Sequence, residues 1–270
     1  MIVALALLLA TAEPTVQQTN DRLVAQVLKS IEGHENEPAG QVFKNLRVEG
    51  MKEVPARQFL TIMNKGFARA LGVTCMHCHL ETDFASDDKR PKRAAREMAA
   101  IHRMINQRLA EMKELEQPKD DRSINCSTCH RGKIDPAADP TPPQKAATQQ
   151  KNDALAAQEL KAIAGHENEP AEQVFMDIRI ESLKPTPAAR FIGIMNGGYA
   201  KALGVGCTHC HVEKDFSSDE KRPKRAAREM AAMHRAINGA LHEMKELENP
   251  SKQRFINCGT CHRGHVEPAE

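Results

Sequence analysis

Cys75-Met-His-Cys-His79 is the first of four copies of the motif that decides how this chain folds. The others are Cys126-Ser-Thr-Cys-His130, Cys207-Thr-His-Cys-His211 and Cys258-Gly-Thr-Cys-His262, and together they use all eight cysteines of the 270-residue sequence. Two thiols separated by two residues and followed at once by histidine are the attachment signature of c-type haem.

This signature gives each residue of the motif a predicted role. The two thiols form thioethers to one porphyrin, and the adjacent imidazole is the proximal iron ligand. We therefore predict four c-type haems. The predicted thioether residues are Cys75, Cys78, Cys126, Cys129, Cys207, Cys210, Cys258 and Cys261, and the predicted proximal ligands are His79, His130, His211 and His262.

Zinc sites and redox dithiols are the competing interpretations of paired Cys-x-x-Cys units. Zinc sites use thiolate or imidazole ligands, and a thioredoxin-like dithiol needs only one such unit. Neither explains a histidine after the second cysteine in all four motifs with no cysteine left over. The sequence favours haem attachment.

The composition agrees with bound porphyrin. Aromatic residues make up only 3% of the chain, with no Trp, although 40% of the residues are hydrophobic. Aromatic side chains normally contribute much of the buried core, so large flat cofactors are expected to fill that space instead. The formal net charge of +2 argues against a nucleic-acid binder, which needs a strong basic excess.

The N-terminus, residues 1–12, resembles a signal peptide. Its apolar run is shorter than the roughly 20 residues that span a bilayer, and Ala10-Thr11-Ala12 is an A-x-A cleavage signal. The positive charge usual at the start of such a signal is missing, and a short buried helix or an uncleaved anchor is the alternative. Export is the preferred interpretation, and it agrees with haem attachment.

The chain is a tandem repeat at an offset of 132 residues. Residues 31–137 align without gaps with 163–269, and Ser86–Ala100 matches Ser218–Ala232 at all positions but one. We predict a lead-in over residues 13–30, one dihaem repeat over 31–137 and another over 163–270. The connecting residues are 138–162, of which Ala138–Asp153 is rich in Pro, Gln and Ala and predicts a semi-extended linker.

The fold class predicted for each repeat is mainly α, with helix–turn–haem-motif units and long irregular loops. Residues 55–71 predict a helix with Phe59, Met63, Phe67 and Leu71 on one face, ended by Gly72. A second and longer helix is predicted from Pro91 to about Glu116, and no strand pattern of useful length is present.

Methionines and histidines on these helices are the candidates for the distal iron ligands. Met63 and Met195 are equivalent in the two copies, and each lies 12 residues before a haem motif. On the long helix we prefer the equivalent pair Met98 and Met230. The alternative distal ligands are His102, His234, Met233, His34 and His166.

Arginines near the motifs predict contacts to haem propionates or to an acidic redox partner, because guanidinium groups bind carboxylates through paired hydrogen bonds. The alternative is a solvated helix start. The candidates are Arg93, Arg96, Arg131, Arg225, Arg228 and Arg263.

The sequence resembles the tetrahaem cytochrome c subunit of photosynthetic reaction centres. The resemblance extends from Met63 through Ala-Leu-Gly-Val-Thr-Cys, Phe84-Ala-Ser-Asp and Lys92…Arg96-x-Met98 to Cys126-Ser-Thr-Cys-His-Arg-Gly132, and recurs from Met195 to Gly264. It implies four haems in a row that re-reduce a photo-oxidised special pair, with three methionines and one histidine as distal ligands. The chain departs from the family in two ways. Met233 is the apparent match to a family ligand, but the equivalent residue in the first copy is Ile101. The sequence also has no spare cysteine for the lipid anchor that some members carry.

The function expected from these features is electron transfer without catalysis. The resemblance implies reaction-centre core subunits and a soluble cytochrome or cupredoxin as partners. The inferred export predicts a periplasmic location, either free or at the outer face of the inner membrane. Membrane contact is expected only peripherally or through a partner, and no nucleic acid is expected. The alternatives are a respiratory multihaem oxidoreductase with one open haem site, a carrier unrelated to photosynthesis, and a haem sensor.

Overall fold

The computed structural model describes residues 13–136, 144–248 and 254–268. Within these ranges the chain is helical and its only extended pairing is three isolated bridges, which confirms the predicted mainly α class. The predicted signal peptide, residues 1–12, lies outside the described residues, as do residue 137 at the end of the first repeat and residues 138–143 of the connection.

Each copy contains three principal helices, which we name for use below. The leading helix is Val16–Ser30 in the first copy and Ala146–Ala162 in the second. The methionine helix joins Ala56–Thr61, π-helical Ile62–Ala68 and Arg69–Leu71, and in the second copy Ala188–Gly193, π-helical Ile194–Ala200 and Lys201–Leu203. The long helix is Arg90–Glu111 and Arg222–Glu243.

Short helices complete the described chain. They are Ala39–Val42, Cys75–His77, Lys119–Asp121, Cys126–His130, Ala171–Val174, Glu181–Leu183, Cys207–Cys210 and Cys258–His262. Four of these contain the haem motifs, so each motif begins within a short helical turn.

Three details of the prediction are wrong. The semi-extended linker ends before Ala146, because from there to Ala162 the chain forms the second leading helix. The long helix ends at Glu111 rather than near Glu116. The predicted apolar face of residues 55–71 is interrupted, because a π-helical turn holds more residues than an α-helical turn and shifts the register.

The two copies pack against each other through their long helices. Ile101, Ile105 and Leu109 of the first copy form one buried cluster with Ile237 and Leu241 of the second. Met112 and Met244 belong to the same cluster. The main apolar core of the described chain therefore lies between the repeats rather than inside either one.

Reciprocal polar contacts surround this cluster. Glu97 accepts hydrogen bonds from the backbone N–H groups of Lys245 and Glu246, at 3.3 Å and 3.1 Å. The equivalent Glu229 accepts from the N–H groups of residues 113 and 114, both at 3.1 Å. Each copy thus offers the same surface to the other, as the subunits of a two-fold homodimer do.

Shortening a side chain in the shared core should destabilise the whole protein. Ile105→Ala is expected to lower the free energy of unfolding by about 2–5 kcal/mol, because it removes buried methyl groups and leaves a cavity. The measurement is denaturant unfolding of the haem-loaded protein.

Leu160→Ala on the second leading helix is the control, since Leu160 is substantially exposed. It should change the unfolding free energy by about 0.5 kcal/mol or less. Equal effects of the two substitutions would contradict the assignment of the core to the interface between the repeats.

Candidate functional site

The four histidines of the motifs share one local geometry. Each places its Nδ1 near a backbone carbonyl three to five residues downstream: His79 on Phe84 at 2.9 Å, His130 on Lys133 at 3.0 Å, His211 on Phe216 at 2.9 Å and His262 on His265 at 3.1 Å. A carbonyl oxygen only accepts, so Nδ1 carries the proton in every case. The opposite ring nitrogen, Nε2, is then the one available to bind iron.

Burial keeps these imidazoles neutral. Desolvation is the largest cause that lowers the pKa of His79, His130, His211 and His262, and for His79 and His211 neighbouring Lys and Arg charges act in the same direction. A neutral imidazole is the protonation state that binds a metal ion.

The free thiols of the motifs are also protonated. Burial raises the pKa of Cys78 and Cys210 to about 11, and raises the pKa of Cys75, Cys126, Cys207 and Cys258 as well. Redox dithiols have lowered thiol pKa values, the opposite direction. In the described ranges no three His, Cys, Asp or Glu side chains converge as a metal site.

A buried asparagine on each leading helix anchors the first motif of its copy. Asn20 accepts a hydrogen bond from the Cys75 N–H at 2.9 Å and donates to the Val73 carbonyl at 3.0 Å. Asn152 makes the equivalent bonds to Cys207 and Val205, both at 3.0 Å. The sequence analysis missed these residues, although Asn20-Asp21 and Asn152-Asp153 keep the offset of 132 and extend the repeat toward the N-terminus.

A glycine pair in each copy holds its two motifs together. Gly72, with φ +68°, ends the methionine helix, and a Cβ there would lie 2.1 Å from the Gly132 carbonyl oxygen. The Gly132 N–H donates to the Ala70 carbonyl at 2.7 Å. Gly204 and Gly264 repeat this arrangement, so the segment after each second motif is fastened beside the start of the first.

One cavity of about 220 Å³ brings a predicted distal ligand to its motif. Met195, Cys207, Cys210 and His211 all line it, with apolar residues of the second methionine helix around them. The structure thus places Met195 and the third motif at one site. Met63, half-buried on the first methionine helix, occupies the equivalent helix position.

A larger cavity, about 1910 Å³, lies against the second motif. Cys126, Cys129 and His130 line it, and so do Met98 and His102 of the long helix. Ile237 and Leu241 of the second copy complete its wall. Met98 and His102, the two predicted alternatives for the distal ligand of the second motif, therefore line the same cavity.

Hydrogen bonding distinguishes the two alternatives. His102 Nε2 lies 2.8 Å from the Ile124 carbonyl oxygen, and His234 Nε2 lies 2.8 Å from that of Ile256. These rings hold the segment just before each second motif. Met98 and Met230 are half-buried beside the shared core.

The remaining candidates lie elsewhere. Met233 packs beside the shared core, and neither it nor the two histidines described next lines the two cavities above. His34 and His166 are exposed and pair through Nδ1 with Glu37 and Glu169 at 2.8 Å.

The candidate arginines have partners within the chain. Arg93 pairs with Glu246 and Arg225 with Glu114, each at 3.0 Å and across the interface between the copies. Arg96 and Arg228 pair at 2.7 Å with Asp87 and Asp219. Arg131 donates to the Thr260 carbonyl of the other copy at 2.8 Å, and Arg263 also has interactions within the chain. Contacts to propionates or to a partner protein stay predictions.

The second motifs of the two copies meet. Cys129 and Cys261 are joined by a disulfide, with their Cα atoms 4.8 Å apart. The other six motif cysteines are free thiols. A sulfur in a disulfide carries no thioether, so this pairing and haem attachment at Cys129 and Cys261 exclude each other.

The residues present fit c-type haem. At Cys75–His79 and Cys207–His211, a neutral imidazole with Nε2 available and two free protonated thiols at the attachment spacing are the donor set that this group requires, and the cavity beside Cys207 adds Met195. At the second motifs, Cys126 and Cys258 are free, and the fit requires Cys129 and Cys261 as free thiols as well. The fold and the site together define a multihaem c-type cytochrome.

The comparison with known proteins agrees with this class. Residues 6–159 and again 141–270 match the family described as the photosynthetic reaction centre cytochrome C subunit, and the chain belongs to this family. A photosynthetic reaction center cytochrome c subunit of Roseobacter denitrificans is 24% identical over 270 residues, covering 87% of this chain and 71% of the relative.

Among the described residues, no helix has both the length and the apolar character needed to cross a bilayer.

Adding one methyl group at Gly72 should separate the two motifs of a copy. Gly72→Ala is strained by its positive φ, at about 1–2 kcal/mol, and the backbone clash with Gly132 adds a further 1–3 kcal/mol or so. Denaturant unfolding and haem content of the purified protein are the measurements.

Gly33→Ala is a matched control, because Gly33 has φ +89° and open space around its Cβ position. It should show the cost of positive φ alone. If Gly72→Ala is no more harmful than Gly33→Ala, the link between the motifs is not structural.

Proposed function

We propose that this chain carries electrons through four covalently bound haems and catalyses no reaction of its own. The observation that supports this proposal most is the fourfold recurrence of one proximal geometry, in which a neutral imidazole donates Nδ1–H to a backbone carbonyl. When bound, the haem iron supplies one-electron chemistry between its ferric and ferrous states. The protein's part is to hold both axial ligands in place.

The proposed ligand set follows the equivalent positions of the two copies. His79, His130, His211 and His262 are the proximal ligands, and Met63, Met195, Met98 and Met230 the distal ones. Met195 is supported by the cavity that it shares with His211. Met98 is favoured over His102 because His102 Nε2, the usual ligating nitrogen, is already bonded to the Ile124 carbonyl.

The contact between the second motifs supports an order for the four sites. The helices Cys126–His130 and Cys258–His262 touch across the interface, whereas the first motif of each copy is anchored on its leading helix. In the proposed order, the sites of Cys126 and Cys258 are central and those of Cys75 and Cys207 are terminal. Loading all four requires Cys129 and Cys261 as free thiols rather than as a disulfide.

The partner of this carrier is proposed from the family. Association with a reaction-centre core, with reduction by a soluble cytochrome or cupredoxin, agrees with the family match and with the relative from Roseobacter denitrificans. A periplasmic location follows from that association and from covalent haem attachment.

Removing the thioether of one distal methionine should leave one iron five-coordinate. Met195→Leu keeps the volume of the side chain but removes the thioether, so the reduced variant is expected to bind carbon monoxide at one haem. The oxidised variant is expected to show one high-spin ferric signal in EPR. The unsubstituted protein should show neither, because all four irons are six-coordinate in a pure carrier.

Met176→Leu is the control, since Met176 is highly exposed, and it should leave all four sites low-spin. Carbon monoxide binding by the unsubstituted protein would reject the carrier model in favour of a multihaem oxidoreductase with an open site. An unchanged EPR spectrum in Met195→Leu would reject Met195 as a ligand.

A further inference from the structure

A buried lysine lies next to the proximal histidine of the first motif in each copy. The Phe84 carbonyl oxygen accepts from both His79 Nδ1, at 2.9 Å, and Lys92 Nζ, at 2.8 Å. In the second copy the Phe216 carbonyl accepts from His211 at 2.9 Å and from Lys224 at 3.0 Å. The ammonium nitrogen is therefore no further from the ring nitrogen than two hydrogen-bond lengths.

The lysine is fixed in this position. Lys92 also donates to the carbonyls of Ala85, at 2.9 Å, and Ser86, at 2.7 Å, and its side chain is 11% exposed. Lys224 makes the same pair of bonds to residues 217 and 218 and is equally buried. No lysine donates to the carbonyl that holds His130 or His262 in the hydrogen bonds described for these motifs.

Fixed charge at this position acts on the reduction potential of an iron bound to the histidine. Reduction removes one positive charge from the iron, so a nearby cation favours the reduced state and a nearby anion opposes it. The lysine also shares the carbonyl that accepts from the imidazole, which limits how strongly that carbonyl can increase the basicity of the ligand. Both effects of the lysine raise the potential.

The charge of the surrounding cluster differs between the copies at one half-buried position. In the first copy, Asp87 faces Lys92 at 3.5 Å and Arg96 at 2.7 Å, and the third neighbour is the neutral Asn45, whose Nδ2 donates to Asp87 at 2.8 Å. In the second copy, the residue equivalent to Asn45 is Asp177.

Asp177 brings a second carboxylate to the same cations. Its Oδ2 lies 2.8 Å from Arg228 and 3.6 Å from Lys224. Asp219 contacts the same two cations, Arg228 at 2.7 Å and Lys224 at 3.3 Å. The backbone is the same in both copies, with φ +60° at Asn45 and +65° at Asp177. The side chain of Asp177 is 22% exposed, so solvent screens its charge only in part.

The other charged neighbours of the two clusters are alike. Arg47 and Arg179 occupy equivalent positions, and both are largely exposed. Two nearby lysines differ between the copies: Lys214 stands opposite Thr82, and Lys44 stands opposite Met176. Both lysines are exposed, so solvent and salt screen their charges well. The clusters thus differ by one negative charge held close to the ligand histidine.

We propose that the Asn45/Asp177 exchange makes the two terminal haem sites unequal, with the His79 site at the higher reduction potential and the His211 site at the lower. Lys92 and Lys224 are the positioning residues through which each cluster reaches its histidine. This inference rests on the proposed function, because it requires haem at Cys75 and at Cys207. It gives the four-site chain a direction that two identical copies would lack.

The test is a spectroelectrochemical redox titration of the full haem-loaded chain. Asn45→Asp should lower one of the four potentials, with about a tenfold fall in the equilibrium constant for reduction, equivalent to roughly 59 mV for a one-electron couple. Asp177→Asn should raise a different potential by a similar amount. The double exchange should reverse the order of the two sites. Lys214→Thr, the matched control, should move no potential by more than about twofold.

A second substitution keeps the test independent of the Asn/Asp exchange. Lys92→Gln should lower the same potential as Asn45→Asp, while leaving the spectra of the other three haems unchanged. A residue with only a structural role would alter haem content or stability without a selective change of potential.

The titration distinguishes a failure of the charge mechanism from a failure of the proposed function. If all four haems are present and neither Asn45→Asp nor Asp177→Asn shifts any potential, the charge mechanism is rejected and the carrier function stands. If the unsubstituted protein lacks haem at Cys75 or at Cys207, the proposed function fails and the inference fails with it.

Discussion

The hydrogen bond from each motif histidine to a downstream backbone carbonyl is the interaction on which this structure depends. It keeps the proton on Nδ1, leaves Nε2 available to bind iron and fixes the plane of the ring in all four motifs. The turns after the motifs place these four carbonyls beside the imidazoles, and the buried lysines Lys92 and Lys224 bind two of them.

Symmetry extends this local geometry to the whole chain. The copies bury the same residues of their long helices against each other and exchange the same carboxylate-to-backbone bonds around them. The second motifs meet at this interface, and the first motifs lie away from it on the leading helices. One repeat unit, duplicated, thus accounts for two motifs that meet at the interface and two that lie away from it. The small differences between the copies, such as Asn45 against Asp177, are where the symmetry is broken.

Much of this arrangement could be predicted from the sequence. The motif spacing predicts the attachment residues, and apolar periodicity predicts both principal helices after the leading one. The predictions failed where tertiary contacts decide the outcome. Residues 146–153 have a linker-like composition, but the buried bonds of Asn152 make them part of a helix. The basic helix start resembled a surface feature, yet Lys92 is buried there because three carbonyls and Asp87 compensate its charge. Neither set of tertiary contacts has a signature in the local sequence pattern.

Attachment of haem at the second motifs is the most direct test of the four-haem account, because there the structure shows Cys129 joined to Cys261. The measurement is mass spectrometry of the purified protein, denatured and digested without reducing agent. The account predicts that the peptides containing Cys126–His130 and Cys258–His262 each carry one haem, as do the peptides of the other two motifs. Recovery of these two peptides as a haem-free, disulfide-linked pair would contradict it.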